Sequence, residues 1–436
     1  MVTRSRSRAT SLLALLSVVF LLATACSDDS GDEASTETTA AASEDGATTT
    51  TAAGDQEPPS ESPAASMRSD LTGLFEEQVY LTGYTVQAAA EGGGLDAPVA
   101  SAYAIEAGHG ADDIANIVGG AYGVAAGDDF VAAWNDHREA VVDYAVSGGS
   151  ADSVESARQG VLDALADMDA DAAFTGVADS LEASDEALLS AVDAMVAGQP
   201  STADLRDAAE EMPDVALDLA NTIAAHIEVE GDVESPESEL RSELTGELQE
   251  STLLTGLGLS AIVRASGDVT ASPDASEIRA VIDQNTDELA ATMEPDDEAS
   301  AAEFAQLWSG HIDAFEQYTT ALVNDDAQGI QDAQDALVQF RDDVGELLAE
   351  NYPAFTKEQV AEELVDHTDS VLAYADALVR EAGDLAEGVD ETESVTDTPS
   401  EAPSLLRTAA LNARLAARSL TGGLTAPASS DEAEAE

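Results

Sequence analysis

Apolar side chains recur at helical spacing through most of the chain from Leu71 onward. Phe130, Trp134, His137 and Tyr144 fall at i, i+4, i+7 and i+14, which places all four on one stripe of a helix. The apolar content is mostly Ala, Leu and Val, and β-branched runs bounded by turn residues are rare, so helices are favoured over strands. The helical pattern breaks at "EGGG", "GAYGVAAGDD", "SGGSAD" and "AGQPST". Short breaks of this kind predict antiparallel neighbours in an up-and-down bundle. The expected class is all-α.

The pattern occurs twice. "LTGLFEEQVYLTG" opens at Leu71 and "LTGELQESTLLTG" at Leu244, an offset of 173, with Leu-Thr-Gly repeated ten residues on in both. Phe304, Trp308, His311 and Tyr318 then repeat Phe130, Trp134, His137 and Tyr144 at an offset of 174. Further along, Leu181 aligns with Leu364, and "LRDAAEEM" from Leu205 aligns with "LRTAALNA" from Leu406. Two separate patterns at nearly one offset predict an internal duplication, whose period is too long for common helical solenoids. The expectation is two tandem antiparallel helical bundles after a disordered N-terminal tether: residues 67–229 and 239–425, joined by a connector at 230–238. A polar insertion, "EGVDETESVTDTPSEAPS", precedes the last helix of copy 2 and reads as a surface loop. Residues 426–436 read as a disordered acidic tail.

Charge narrows the partners. Against 88 acidic side chains stand 16 basic ones, a formal net charge of -72. Such a field excludes charge-driven binding to nucleic acid or to anionic headgroups. It also repels itself at low ionic strength, so salt adaptation is the favoured explanation and a generally acidic set of secreted proteins the alternative.

The first 25 residues have the form of an export signal: a basic stretch, an apolar core from Leu12 to Ala23, then "TAC". The chain's single cysteine, Cys26, follows directly, which resembles the lipobox of bacterial lipoproteins, with Leu22 one place earlier than usual. That resemblance implies cleavage before Cys26 and acylation of its thiol. Residues 26–66 hold almost no large apolar side chain and are expected as a disordered acidic Ser/Thr-rich linker. The expected location is the extracytoplasmic face of the cell membrane, held there by lipid.

Candidate chemistry is sparse. With one cysteine there is no internal disulfide and no cysteine-based zinc site. Gly-x-Ser-x-Gly, His-Glu-x-x-His, the phosphate-binding glycine loop and the EF-hand loop are all missing, so neither an enzyme nor a cofactor is expected. His137 and His311 are carried inward by their own spacing, as core imidazoles or as metal or ligand donors, with His367 a third candidate. "EAGH" from Glu106 reads as a helix end rather than a di-iron motif. Phe130, Trp134, Tyr144, Phe304, Trp308 and Tyr318 are expected as core packing, with Asp128 or Asp129 capping the first of the two helices. Arg407, Arg414 and Arg418 form a basic face on the last helix, read as pairing with acidic neighbours or as a docking strip for an envelope partner.

The arrangement "LFEEQVYLTGYTVQAA", "AWNDHREAVVDYAV" and "LLSAVDAMVAG" resembles a broad set of secreted bacterial helical-bundle proteins with a Trp-x-x-His helix, largely without assigned activity. It spans residues 70–227 and, more loosely, 243–424. In that pattern the first helix often holds a histidine where this chain has Gln78 and Ser251. The resulting expectation is a lipid-anchored binding or structural component of the cell envelope, with metal or cofactor binding in the bundle cores as the alternative.

Overall fold

Helical structure begins earlier than the apolar periodicity suggests. Pro59–Glu61 forms a 3-10 turn, and α1 runs Pro63–Gly92 behind Ser62, whose Oγ accepts the Ala65 N–H at 3.2 Å. Ser followed by Pro at the first helical position is a strong start signal. Ala64 and Ala65 are fully buried, so residues 59–66 belong to the folded unit and not to the linker. The computed structural model describes residues 59–169, 174–267, 274–295, 297–386 and 400–426. The leader, Cys26, the linker through residue 58, the insertion from 387 to 399 and the tail from 427 lie outside them.

Among the described residues the regular structure is helical, with no strand. Copy 1 continues with α2 (Pro98–Tyr122), α3 (Val124–Ser147), α4 (Ala151–Met168), α5 (Thr175–Val196), α6 (Thr202–Glu210) and α7 (Met212–Ile227). Copy 2 comprises α8 (Pro236–Arg264), α9 (Ala275–Met293), α10 (Glu298–Val323), α11 (Ala327–Asn351), α12 (Lys357–Glu363), α13 (Val365–Ala386) and α14 (Ala402–Leu424). Three of the four expected breaks separate helices, at Gly93, Gly148 and Gly198, each in the left-handed region. The fourth contracts to a single residue, Gly123, after which α3 starts at once. Asp128 and Asp129 therefore sit inside α3 and do not cap it, whereas in copy 2 Asp297 accepts the N–H groups of Ala299 and Ser300.

The copies share one interior, and the described residues between 59 and 426 form a single unit. At its centre α1 and α8 lie side by side and parallel. Thr72 meets Ser242, the Tyr80 hydroxyl donates to Glu250, and the Tyr84 hydroxyl donates to the Leu253 carbonyl, each at 2.7 Å, so paired positions advance together. Every residue from Leu71 to Val86 is buried, as is every residue from Leu248 to Ile262. A helix covered on all sides has no polar face and forms the core itself. The connector is tied in as well: the Glu230 carbonyl accepts the Ala64 N–H, and the Val233 carbonyl accepts from Arg68.

The repeated Leu-Thr-Gly motifs are explained by this arrangement. Gln249 Nε2 donates to the Gly73 carbonyl, and its counterpart Glu76 lies against Gly246, a reciprocal contact of the kind a two-fold axis along the helix pair generates. A Cβ at Gly83 would meet Leu205 Cδ1 at 2.8 Å, and one at Gly256 would meet Leu406 Cδ1 at 2.7 Å. Leu205 and Leu406 are themselves equivalent positions, so each copy keeps a glycine where the leucine of its own closing segment inserts. Gly256→Val is expected to cost about 1–3 kcal/mol by urea denaturation, through overpacking. The same change at Gly310, which has no neighbour within 4 Å, should be close to neutral.

Candidate functional site

The Trp-bearing stripes reach the core as their spacing predicts. Phe130, Trp134, Phe304, Trp308 and Tyr318 are all at most 4% exposed. Tyr144 is different: it is only partly buried, and its hydroxyl donates to Asp193 at 2.9 Å, just as Tyr318 donates to Asp376. It sits near the end of α3, where the stripe runs out of neighbours to cover it.

Each indole N–H finds its partner on the central helix of its own copy. Trp134 Nε1 donates to Gln78 at 3.2 Å and Trp308 Nε1 to Ser251 at 2.9 Å. Gln78 and Ser251 act as acceptors that let a buried indole keep its hydrogen bond.

The histidines behind the tryptophans differ between copies. His137 Nε2 lies 2.8 Å from Asp185 Oδ1, and Arg158 reaches the other carboxylate oxygen at 3.4 Å. In copy 2 the residues equivalent to Asp185 and Arg158 are Thr368 and Arg341, and Arg341 donates to the Thr368 hydroxyl at 2.9 Å. His311 Nδ1–H donates to the Trp308 carbonyl. His367 stands where copy 1 has Ser184, with its ring centroid 5.8 Å from that of His311. Burial pushes His367 down to about 4, and burial together with the neighbouring His367 ring holds His311 well below the usual range. Both rings are therefore neutral at physiological pH. Among the described residues no three His, Cys, Asp or Glu side chains are grouped to hold a metal ion.

His109 and His226 stay outside these clusters. His109 pairs with Glu106 at 3.2 Å on the surface of α2, and His226 stacks on Tyr122. "EAGH" does not end its helix, because α2 continues to Tyr122. Gly110 packs closely on α1, where a Cβ would lie 2.4 Å from Gln78 Nε2.

Arg407 and Arg418 of the strip pair with acidic side chains of copy 1, although Arg418 itself remains half exposed. Arg407 Nε donates to Glu77 at 2.7 Å and its Nη2 to Asp113, and Arg418 Nε donates to Glu61 at 2.9 Å. Arg414 lies against Gly73, and its charge is the largest of those acting on Asp70, whose carboxyl burial nonetheless raises. The two-fold counterpart of Arg407 is Arg206, which copy 1 sends to copy 2. It meets Glu250 at 3.1 Å and also reaches Glu288 and, within its own helix, Glu210. Each copy thus neutralises a carboxylate on the central helix of the other.

Beside these pairs lie acids with less compensation. Glu76 Oε2 and Glu247 Oε2 are buried without a hydrogen-bond partner. Desolvation raises Glu76 well above the ordinary range, helped by the charges of Glu250 and Glu247, and raises Glu247 to about 8 despite a 2.8 Å bond from Thr292. Glu250 is raised by burial and held down by Arg206, Tyr80 and Asn285. Sequence reasoning missed this network, together with Asp185, Arg158 and Arg341.

At the C-terminal ends of α1 and α8 a cleft of about 380 Å³ opens between the copies, lined by Gln87, Glu91, Met195, Gln199, Arg264 and Asp274. The equivalent residues Glu91 and Arg264 pair across it at 3.4 Å. The chain matches no family model, no curated protein and no solved structure, so its function is argued from its own residues.

Proposed function

We propose that the protein is a lipid-anchored, extracytoplasmic, non-catalytic component of the cell envelope that acts by binding or by structure. The observation that carries this reading is where its reactive side chains go. The histidine and carboxylate of copy 1, both indoles and the cross-copy arginines are engaged in contacts within the chain. Groups committed in this way hold a fold together and are poorly placed to meet a substrate. What remains outward is a densely acidic surface, suited to staying soluble and unaggregated beside a membrane. The leader and Cys26 supply the anchor in this reading. No helix among the described residues is long and apolar enough to cross a membrane.

Metabolic labelling with a clickable fatty acid tests the anchor. The wild-type chain should take up label and sediment with membranes, whereas Cys26→Ser should be unlabelled and released. An unlabelled wild-type chain in the soluble fraction would sink the proposal. A second reading, metal or cofactor binding in the bundle cores, is supported by one observation: the unpartnered imidazole of His367 in copy 2.

A further inference from the structure

Copy 2 departs from copy 1 at two adjacent positions in a way that packing does not explain. Where copy 1 has Ser184 and Asp185, copy 2 has His367 and Thr368. Ser184 is satisfied by donating to the Ala208 carbonyl at 2.8 Å, and Asp185 engages His137. His367 is 3% exposed, and neither of its ring nitrogens has a hydrogen-bond partner. A neutral imidazole carries one donor and one acceptor, and burying both unpaired is costly.

The neighbouring ring supplies the other half of a site. His311 is 2% exposed and gives its Nδ1–H to the Trp308 carbonyl, which leaves its lone pair on Nε2. Histidines that bind metals are oriented by the same kind of bond through their other nitrogen. The two ring centroids are 5.8 Å apart. Two imidazoles joined end-on through one ion, with metal–nitrogen bonds of about 2 Å, have centroids about 6 Å apart.

We propose that His311 and His367 form a two-coordinate site for a soft monovalent cation of the Cu(I) type, buried in copy 2 and lacking in copy 1. This rests on the second reading above and not on the lipid anchor. The donor set selects the class of ion. Zinc and similar divalent ions need about four ligands, with anionic ones to offset their charge, and no group of three such donors occurs among the described residues. The exchange of Asp185 for Thr368 removes the carboxylate, and Arg341 bonded to Thr368 adds a repulsion that grows with the charge of the ion. A filled-shell monovalent ion is satisfied by two nitrogens in line. Phe340, stacked on His311 at 4.3 Å, and Trp308, T-shaped to it at 4.4 Å, surround the pair with aromatic rings. The acidic exterior raises the cation concentration at the surface.

The test is anaerobic titration of the full chain with Cu(I), in competition with a chromophoric Cu(I) chelator. The chain carries Cys26→Ser so that no thiol contributes. One Cu(I) per chain is expected, with X-ray absorption showing two nitrogen neighbours and no sulfur. His367→Ser, which installs the residue of copy 1, and His311→Gln should each weaken binding by at least about a hundredfold. His137→Gln should leave binding unchanged. Circular dichroism checks that the variants fold, and if one does not, the ligand count in the unsubstituted site decides. No uptake, uptake that survives both substitutions, or a site with sulfur or more than two nitrogens would each overturn the assignment.

Discussion

Raising the pH from about 5 to about 9 is expected to lower the stability of this protein, the reverse of ordinary acid unfolding. Glu76 is buried and Glu247 partly so, each with a buried Oε2 that has no hydrogen-bond partner, and desolvation raises both, Glu247 to about 8. A carboxyl whose folded pKa lies above its unfolded value binds more protons in the folded state. Its contribution is fully present below the unfolded value, near 4.5, and is lost as pH rises through the folded one. At about 1.4 kcal/mol per pH unit, Glu247 alone accounts for at most about 5 kcal/mol across that window. Repulsion among the exterior carboxylates acts in the same direction, but salt screens it and leaves the buried part largely untouched. The measurement is the urea midpoint against pH at high salt. Glu76→Gln, which reproduces the equivalent Gln249 of copy 2, combined with Glu247→Gln should flatten the curve. A midpoint that climbs from pH 5 to 9 in the wild-type chain would refute the argument.

The second large effect follows from removing a cross-copy arginine. The Arg206 side chain is 5% exposed and serves Glu250, Glu288 and Glu210 at once. Arg206→Ala leaves Glu250 buried and uncompensated, and breaking a pair of this kind costs about 3–5 kcal/mol. Arg407→Ala should also be costly, because the Glu77 it leaves behind is 1% exposed, with the charge of Arg414 the remaining compensation on that carboxylate. The location of the damage is diagnostic. Arg206 belongs to copy 1, yet hydrogen exchange should speed up in α8 and α9 of copy 2, where its partners lie. Adding Glu250→Gln to Arg206→Ala should recover part of the loss, since the orphaned charge is then gone. Exchange confined to copy 1, or no recovery, would contradict the reciprocal pairing.

Much of this was legible in the chain, and what was not has physical reasons. The all-α class and the inward placement of Trp134, Trp308 and the histidines behind them came from apolar periodicity, which reports any helix with one face in and one face out. The central position of α1 and α8 was hidden for the same reason. A helix buried from Leu71 to Val86 on every side has no stripe to read, and nothing in the sequence sets its Glu76, Glu77 and Gln78 apart from exposed polar residues. Among 88 acidic side chains nothing marks the few that are buried. One signal was present and unused: the alignment of Leu205 with Leu406 also matches Arg206 with Arg407. The basic strip on the last helix, considered alone, allowed pairing with acidic neighbours or a docking face, whereas a pair of equivalent arginines points to the first. Tyr144 looked equivalent to Tyr318 because periodicity says nothing about how far a neighbouring helix extends.

The closing contacts also set an order of events. Arg407 meets Glu77, Arg418 meets Glu61 and Thr425 meets Ser60, so the last helix completes a surface laid down by the first residues of the fold. A chain that emerges N-terminus first, from a ribosome or through a membrane pore, holds Glu77 in place for more than three hundred residues before Arg407 arrives. Contacts of such separation form slowly and late. Until then α1 has no permanent cover on that side, and any other basic, apolar helix that reaches it first can occupy the place of α14.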